Sequence, residues 1–355
     1  MKLPSLDIGN LKIKYPIVLG AMGVGVSRSG LAAAVTNAGG LGVISGVNLG
    51  FNEPDFLTNP LEANLRALRN EIRKAKEMTK DGIIGINFMV AMNTYAEHVK
   101  EAVKEGIDFI VSGAGIPSDL PALVKGSSTK IAPIISSSKA AGLIAKLWDR
   151  NHSIAPDAMV LEGVKAGGHL GFKPKDILDE NYDVFSTISE IKKILKPYEE
   201  KYNKKIPLIV AGGIFTGSDI KEVLEAGGDG VQMATKFVAT AECDASDAFK
   251  KAYINATLGD VEIIISPVGL PGRAIHNPFL ERVSANDRPK IVKCVNCLKT
   301  CTPATTPFCI SQALVNAVNG NTDEGLIFSG ENVYKVKEMS TVPKIFEELI
   351  KEAEA

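Results

Sequence analysis

Residues 158–171 read AMVLEGVKAGGHLG. A short apolar run, Ala158 to Leu161, passes directly into a glycine-rich turn that carries one imidazole, His169. Apolar residues on both faces of so short a run predict a buried parallel strand, and the glycines predict a loop at its end. Glycine lets main chain approach a flat ligand with no Cβ in the way. A histidine in that position exchanges protons near neutral pH. The plainer reading is a turn whose histidine bonds a neighbouring carbonyl.

The same unit repeats along the chain. Strands are predicted at Ile17 to Leu19, Leu41 to Ile44, Ile83 to Phe88, Phe109 to Val111, Ile131 to Ile135, Ala158 to Leu161, Leu208 to Ala211 and Gly230 to Met233. Helical spacing separates them. Its clearest case places Leu61, Leu65, Leu68, Ile72 and Ala75 on one face, with Arg66, Arg69, Glu71 and Lys74 mostly toward water. Further helices are predicted near 30–38, 94–105, 120–124, 139–150, 183–202, 217–226 and 245–256. Eight strand-helix units over about 256 residues predict an α/β fold of the (β/α)8 TIM-barrel type. An open doubly wound sheet is the alternative, and eight consecutive units would make it unusually wide. The predicted organisation is a barrel at 1–256 and a C-terminal extension at 257–355 that completes the site rim.

Composition narrows the function classes. The 355 residues are 45% apolar and 23% charged, with a formal charge of -1. No long Lys/Arg block is present, which argues against nucleic acid or an anionic membrane as partner and for a small-molecule substrate. The longest uncharged stretch, Ser29 to Asn52, is too rich in Gly, Asn, Ser and Thr to span a bilayer. A cytoplasmic protein is expected.

In a TIM barrel the loops after the strands form the catalytic face, and phosphate sits where the loops after strands 7 and 8 meet. Those loops are glycine-rich here: Gly20-Ala21-Met22-Gly23, Gly113-Ala114-Gly115, Gly167-Gly168 and Gly212-Gly213-Ile214. Strand 8 leads into Ala234-Thr235-Lys236. Main-chain N–H groups of Gly212, Gly213, Ala234 and Thr235 would form an anion cradle. Glycines that merely permit tight turns are the competing explanation.

Taken in order, Gly20-Ala21-Met22, Gly85-Ile86-Asn87-Phe88-Met89, Gly113-Ala114-Gly115, the run 162–171, Ala211-Gly212-Gly213-Ile214, the run 231–237 around Gln232, and Gly272-Arg273-Ala274 resemble the motif set of the nitronate monooxygenase (2-nitropropane dioxygenase-like) family. The resemblance covers roughly Leu3 to Asn277. That family shares its motifs with flavin-dependent enoyl-acyl-carrier-protein reductases, and the resemblance implies an FMN-binding barrel. It further implies that Ala21, Met22 and Gly23 line the reactive edge of the isoalloxazine, that Asn87 bonds the ring, and that Gly167 and Gly168 let it approach. Ala211, Gly212, Gly213, Gln232, Ala234 and Thr235 would complete the cofactor site, with the phosphate on the cradle. His169 matches the catalytic histidine, which takes a proton from the substrate carbon or polarises the reacting group. One departure is visible: the family usually has Gly-Thr-Arg where this chain has Ala234-Thr235-Lys236, and Lys lacks the planar fork of Arg.

The chain beyond the barrel adds a cysteine cluster, Cys294, Cys297, Cys301 and Cys309, spaced C-x2-C-x3-C-x7-C. Its close triplet resembles the iron–sulfur segment of 2,4-dienoyl-CoA-reductase-type flavoenzymes. A four-iron four-sulfur cluster, a structural zinc ion and plain reduced thiols are the three readings. Glu162 is a candidate to orient His169 or to bind the ribityl chain, a salt bridge in the barrel mouth being the alternative. Lys139 is placed just past strand 5, His276 near the rim, His98 and His152 in solvent, and Cys243 as filler. Three functions follow. In the first, a nitronate gives an electron to FMN, O2 captures the resulting radicals and His169 manages protonation. The second is an NAD(P)H-dependent enoyl-thioester reductase, and the third a flavin electron carrier.

Overall fold

The apolar runs become strands because each is covered on both faces. The computed structural model describes residues 2–80, 82–179 and 182–355. A hairpin of β1 (Leu6–Ile8) and β2 (Leu11–Ile13) comes before the ring. The ring strands are β3 (Ile17–Leu19), β4 (Gly42–Ser45), β5 (Ile84–Met89), β6 (Phe109–Gly113), β7 (Lys130–Ile135) and β8 (Met159–Glu162). After the two-residue β9 (Gly168–His169), the ring is completed by β10 (Leu208–Ala211) and β11 (Gly230–Met233). Neighbours run parallel in the order β3-β11-β10-β8-β7-β6-β5-β4.

The two ends of that order meet. Leu19 N–H donates to the Leu41 carbonyl and Leu41 N–H to the Ile17 carbonyl, both at 2.9 Å. The sheet is therefore a closed barrel, and the open doubly wound alternative is excluded. The β1–β2 hairpin covers the end where strands begin, since Leu6 lies against Gly230 and the Gly9 turn against Lys130. The opposite end, where the strands finish, is left for a site.

Helices form where the apolar spacing predicts them, with one instructive exception in Pro60–Met78. Glu71, expected in water, is buried at 7% exposure. It accepts from Ser29 N–H and pairs with the Arg28 guanidinium, each at 2.8 Å, and so satisfies donors at the start of the helix Ser29–Asn37. Periodicity sees a polar residue but not the helix terminus that will need it.

The chain past residue 256 returns to the barrel. Strands β12 (Val261–Ile265) and β13 (Pro271–Ile275) join β9 in an antiparallel sheet across the mouth. The last helix, Val342–Glu354, packs between the helices Ser29–Asn37 and Gly217–Glu225. It buries Val342, Ile345, Phe346, Leu349 and Ala353 in the main core, and Gly217 N–H donates to Glu352 at 2.7 Å. That is the place of the eighth outer helix. The helix Asp247–Asn255, which the unit count assigned there, lines the mouth through Phe249 and Tyr253 instead. An amphipathic pattern shows that a face is buried, not against what. Among the described residues no helix is long and apolar enough to cross a membrane.

Candidate active site

Closing the ring brings the strand ends to one cavity of about 250 Å³. The loop after β3 supplies Ala21, Met22 and Gly23, β5 supplies Asn87, and β8 supplies Glu162. Gly167, Gly168 and His169 form the next wall. Ala211, Gly212 and Gly213 follow β10, and Gln232, Ala234 and Thr235 complete the circuit. These residues thus face one space, although 214 positions in sequence separate Ala21 from Thr235.

The two ends of the cavity differ chemically. At one end the N–H groups of Gly212, Gly213, Ala234 and Thr235 have no acceptor among the described residues. Unpaired main-chain donors in a concave wall are uncommon unless a ligand completes them. The Lys165 side chain runs beside Gly213 and adds positive charge there. These orphaned donors fit a bound phosphate, and Ala21, Gly23, Gly167 and Gly168 line the same cavity with little side-chain bulk. At position 236, the Lys side chain lies over the Phe215 ring, 5.0 Å from its centroid, and 3.8 Å from Glu348.

At the other end stands His169. Its Nε2 is 2.8 Å from the Ser266 hydroxyl, which also accepts from Val268 N–H at 3.1 Å. The ring meets Phe328 edge-on at 4.9 Å between centroids. Nδ1 has no protein partner among the described residues. Burial disfavours the imidazolium and lowers the pKa to about 4, so the ring is neutral at pH 7. Glu162 does not orient it. That carboxyl accepts from Gly171 N–H, and desolvation raises its pKa to about 8, leaving it protonated and able to donate near neutrality.

Two supporting residues escaped the sequence reading. Ser266 is 97 positions from His169, and nothing local distinguishes it from any other serine. Arg273 stands in the Gly272-Arg273-Ala274 motif, whose sequence does not reveal what the guanidinium meets. It is 6% exposed, and its Nη1 donates to the carbonyls of Val164 and Ala166, both at 2.6 Å. Through the pairing of β13 with β9, in which Arg273 stands opposite Gly168, it holds the turn that presents His169. Arg273→Met leaves both buried carbonyls without a donor and should cost about 1–3 kcal/mol. Urea denaturation checks this, and Arg273→Lys should recover only part of it because the planar fork is lost.

The remaining candidates settle as follows. Lys139 is exposed on its helix and does not line the cavity. His276 is exposed and pairs with Glu262 at 3.2 Å and Glu281 at 3.3 Å. His98 is not solvated but fully buried, with Nδ1 2.7 Å from its own Thr94 carbonyl. His152 is half-buried with Nε2 2.9 Å from the Ser118 carbonyl. Cys243 is buried with its thiol on the Val26 carbonyl at 3.4 Å. The clustered cysteines surround one small pocket, yet no three His, Cys, Asp or Glu side chains among the described residues are arranged to hold a metal ion. Burial, with the neighbouring thiols, pushes Cys297 up to about 12, which keeps it a neutral thiol.

Comparison with known proteins agrees with this architecture. The family model described as nitronate monooxygenase matches residues 5–352. A probable nitronate monooxygenase of Staphylococcus aureus is 28% identical over 301 residues, covering 77% of this chain and 79% of that protein. The (3aS,4S,5R,7aS)-5-hydroxy-7a-methyl-1-oxo-octahydro-1H-indene-4-carboxyl-CoA dehydrogenase of Mycobacterium tuberculosis is 26% identical over 276 residues, 78% of this chain and 67% of that protein. Among solved structures, FabK from Thermotoga maritima superposes with a TM-score of 0.72 at 24% identity, covering 96% and 93% of the two chains. A nitroalkane oxidase from Streptomyces ansochromogenes gives 0.70 at 20% identity, with 96% and 95% covered.

Proposed function

This chain belongs to the nitronate monooxygenase family, and on that premise we propose that it is an FMN-dependent oxidoreductase that oxidises alkyl nitronates with O2. The observation that carries the cofactor is the ring of orphaned N–H donors at Gly212, Gly213, Ala234 and Thr235, with Lys165 beside it, at one end of a slot whose other end is His169. FMN, when bound, supplies the electron-transfer chemistry. The cradle binds its phosphate. Asn87 on β5 and Gln232 on β11, with β3 and β4 between them around the ring, supply side-chain amides to the flavin, and the protonated Glu162 is a neutral donor in the same space.

His169 handles the proton. Ser266 fixes the orientation of the imidazole through Nε2, so Nδ1 is the nitrogen left to meet substrate. A neutral ring can accept the α-proton of the parent nitroalkane, which generates the nitronate in the site, or, in the tautomer that carries hydrogen on Nδ1, donate a hydrogen bond to the nitronate. Arg273 and the β9–β13 pairing keep that nitrogen in place.

Anaerobic mixing of the flavin-loaded protein with an alkyl nitronate, NADH or NADPH tests the reading. Bleaching of the flavin by the nitronate and not by either nicotinamide is expected, with O2 uptake when air is admitted. The fold shared with FabK favours a second reading, the enoyl-thioester reductase, and rapid bleaching by a nicotinamide followed by reoxidation with a 2-enoyl thioester would put it first. Reduction only by a protein electron carrier would favour the carrier function.

A further inference from the structure

A second chamber of about 200 Å³ opens beyond His169. It meets the main cavity at Val47, Met89, His169 and Leu314, which line both. Its walls come from the loops after β4 and β5, from the start of the helix Pro60–Met78, and from the segment carrying Cys297. Leu61, Met92, Val268, Leu298 and Ile310 give it an apolar surface, and no Asp, Glu, Lys or Arg lines it. Of its polar side chains, Asn48 donates to Ser311, Asn64 accepts from Gly50 N–H, and Asn296 accepts from Asn93, at 2.8, 2.8 and 2.9 Å. A charged group entering here would lose hydration with no opposite charge to offset it. A hydrocarbon would gain from every methylene that leaves water.

We infer that this chamber receives the uncharged, apolar body of the organic substrate, and that the enzyme selects neutral aliphatic or alicyclic substrates over those with a charge a few carbons from the reacting centre. The inference rests on the oxidoreductase reading for what happens at His169, while the binding preference follows from the chamber alone. The reacting carbon is held beside His169, and the chain passes between Met89 and Leu314 away from the phosphate end. The charged recognition elements, Lys165 and the N–H cradle, lie at the opposite end, so the two ends sort cofactor from substrate by polarity.

Calorimetric titration of the protein as purified with butanamide, hexanamide and octanamide, against 6-aminohexanamide and adipic acid monoamide, tests the preference. Binding of the neutral series should tighten by about four-fold per methylene until the chamber is full, and both charged-end compounds should fail to bind. Leu61→Trp, at the helix start, and Leu298→Trp, in the cysteine segment, should each abolish the length dependence while the flavin content per chain stays that of the parent. Charged ends that bind as well as neutral ones, or a length dependence that survives both substitutions, would overturn the inference. Turnover separates it from the reaction assigned above. If nitronates are consumed with kcat/KM no higher for 1-nitrohexane than for 3-nitropropionate, the chamber assignment fails and the reaction stands. If no nitronate is consumed while the amides bind as described, the reaction fails and the chamber stands.

Discussion

His169→Ala should purify with its full complement of flavin and lose kcat/KM by about 10²–10⁴, the contribution of a positioned proton-transfer group. The imidazole stands where the cavity meets the second chamber, which no cradle residue lines, and its one polar contact among the described residues is with Ser266. Removing it takes away proton chemistry and leaves cofactor contacts untouched. Steady-state assays with absorbance-based flavin quantitation check both halves, and a variant that turns over normally would remove His169 from the mechanism. Ser266→Ala should fall between parent and His169→Ala, because the ring remains but its orientation is no longer fixed.

The same burial makes a pH prediction. The folded pKa of His169 is lowered to about 4, against about 6.5 for an exposed imidazole. The unfolded chain therefore binds a proton that the folded chain refuses between those values, and stability falls as pH drops from about 6.5 toward 4. Glu162 acts oppositely, since its raised folded value of about 8 lowers stability as pH rises above its ordinary carboxylate range. Comparing urea midpoints of parent and His169→Ala across pH 4 to 7 isolates the first effect. The variant should be the less pH-sensitive of the two on the acid side.

Gly212→Val should have the second large effect, a protein isolated with less than about a tenth of the parent's flavin, the order expected when binding interactions of a few kcal/mol are lost. Gly212 has φ +94°, and a Cβ there would lie 2.8 Å from the Gly163 carbonyl oxygen and 3.0 Å from the Ala166 nitrogen. Both contacts are main chain, so relief requires moving the turn that precedes His169 and one of the cradle's own donors. Gly227→Ala is the control. Its φ is +95°, yet nothing lies within 4 Å of a Cβ built there, so it should lose stability by about 1–2 kcal/mol from backbone strain alone and keep its flavin. Full flavin content in Gly212→Val would show that the phosphate is held elsewhere.

Sequence alone fixed the parts of this protein that are written in contiguous residues. Eight apolar runs, the helices between them and the glycine-bounded loop at 162–171 are local patterns, because strand and helix periodicities and turn conformations depend on near neighbours. A barrel then follows from the count, and its strand-end loops must converge, which puts Asn87, His169 and Gly212 at one site. Only the tertiary structure decided what depends on pairs of residues far apart in the chain. Such pairings include Leu41 closing the ring on Ile17 and Leu19, Ser266 and Arg273 fixing the histidine turn, and the helix Val342–Glu354 taking the place expected for 245–256. The cysteines are a related case: their spacing brings them close along the chain, and the fold sets all four around one pocket.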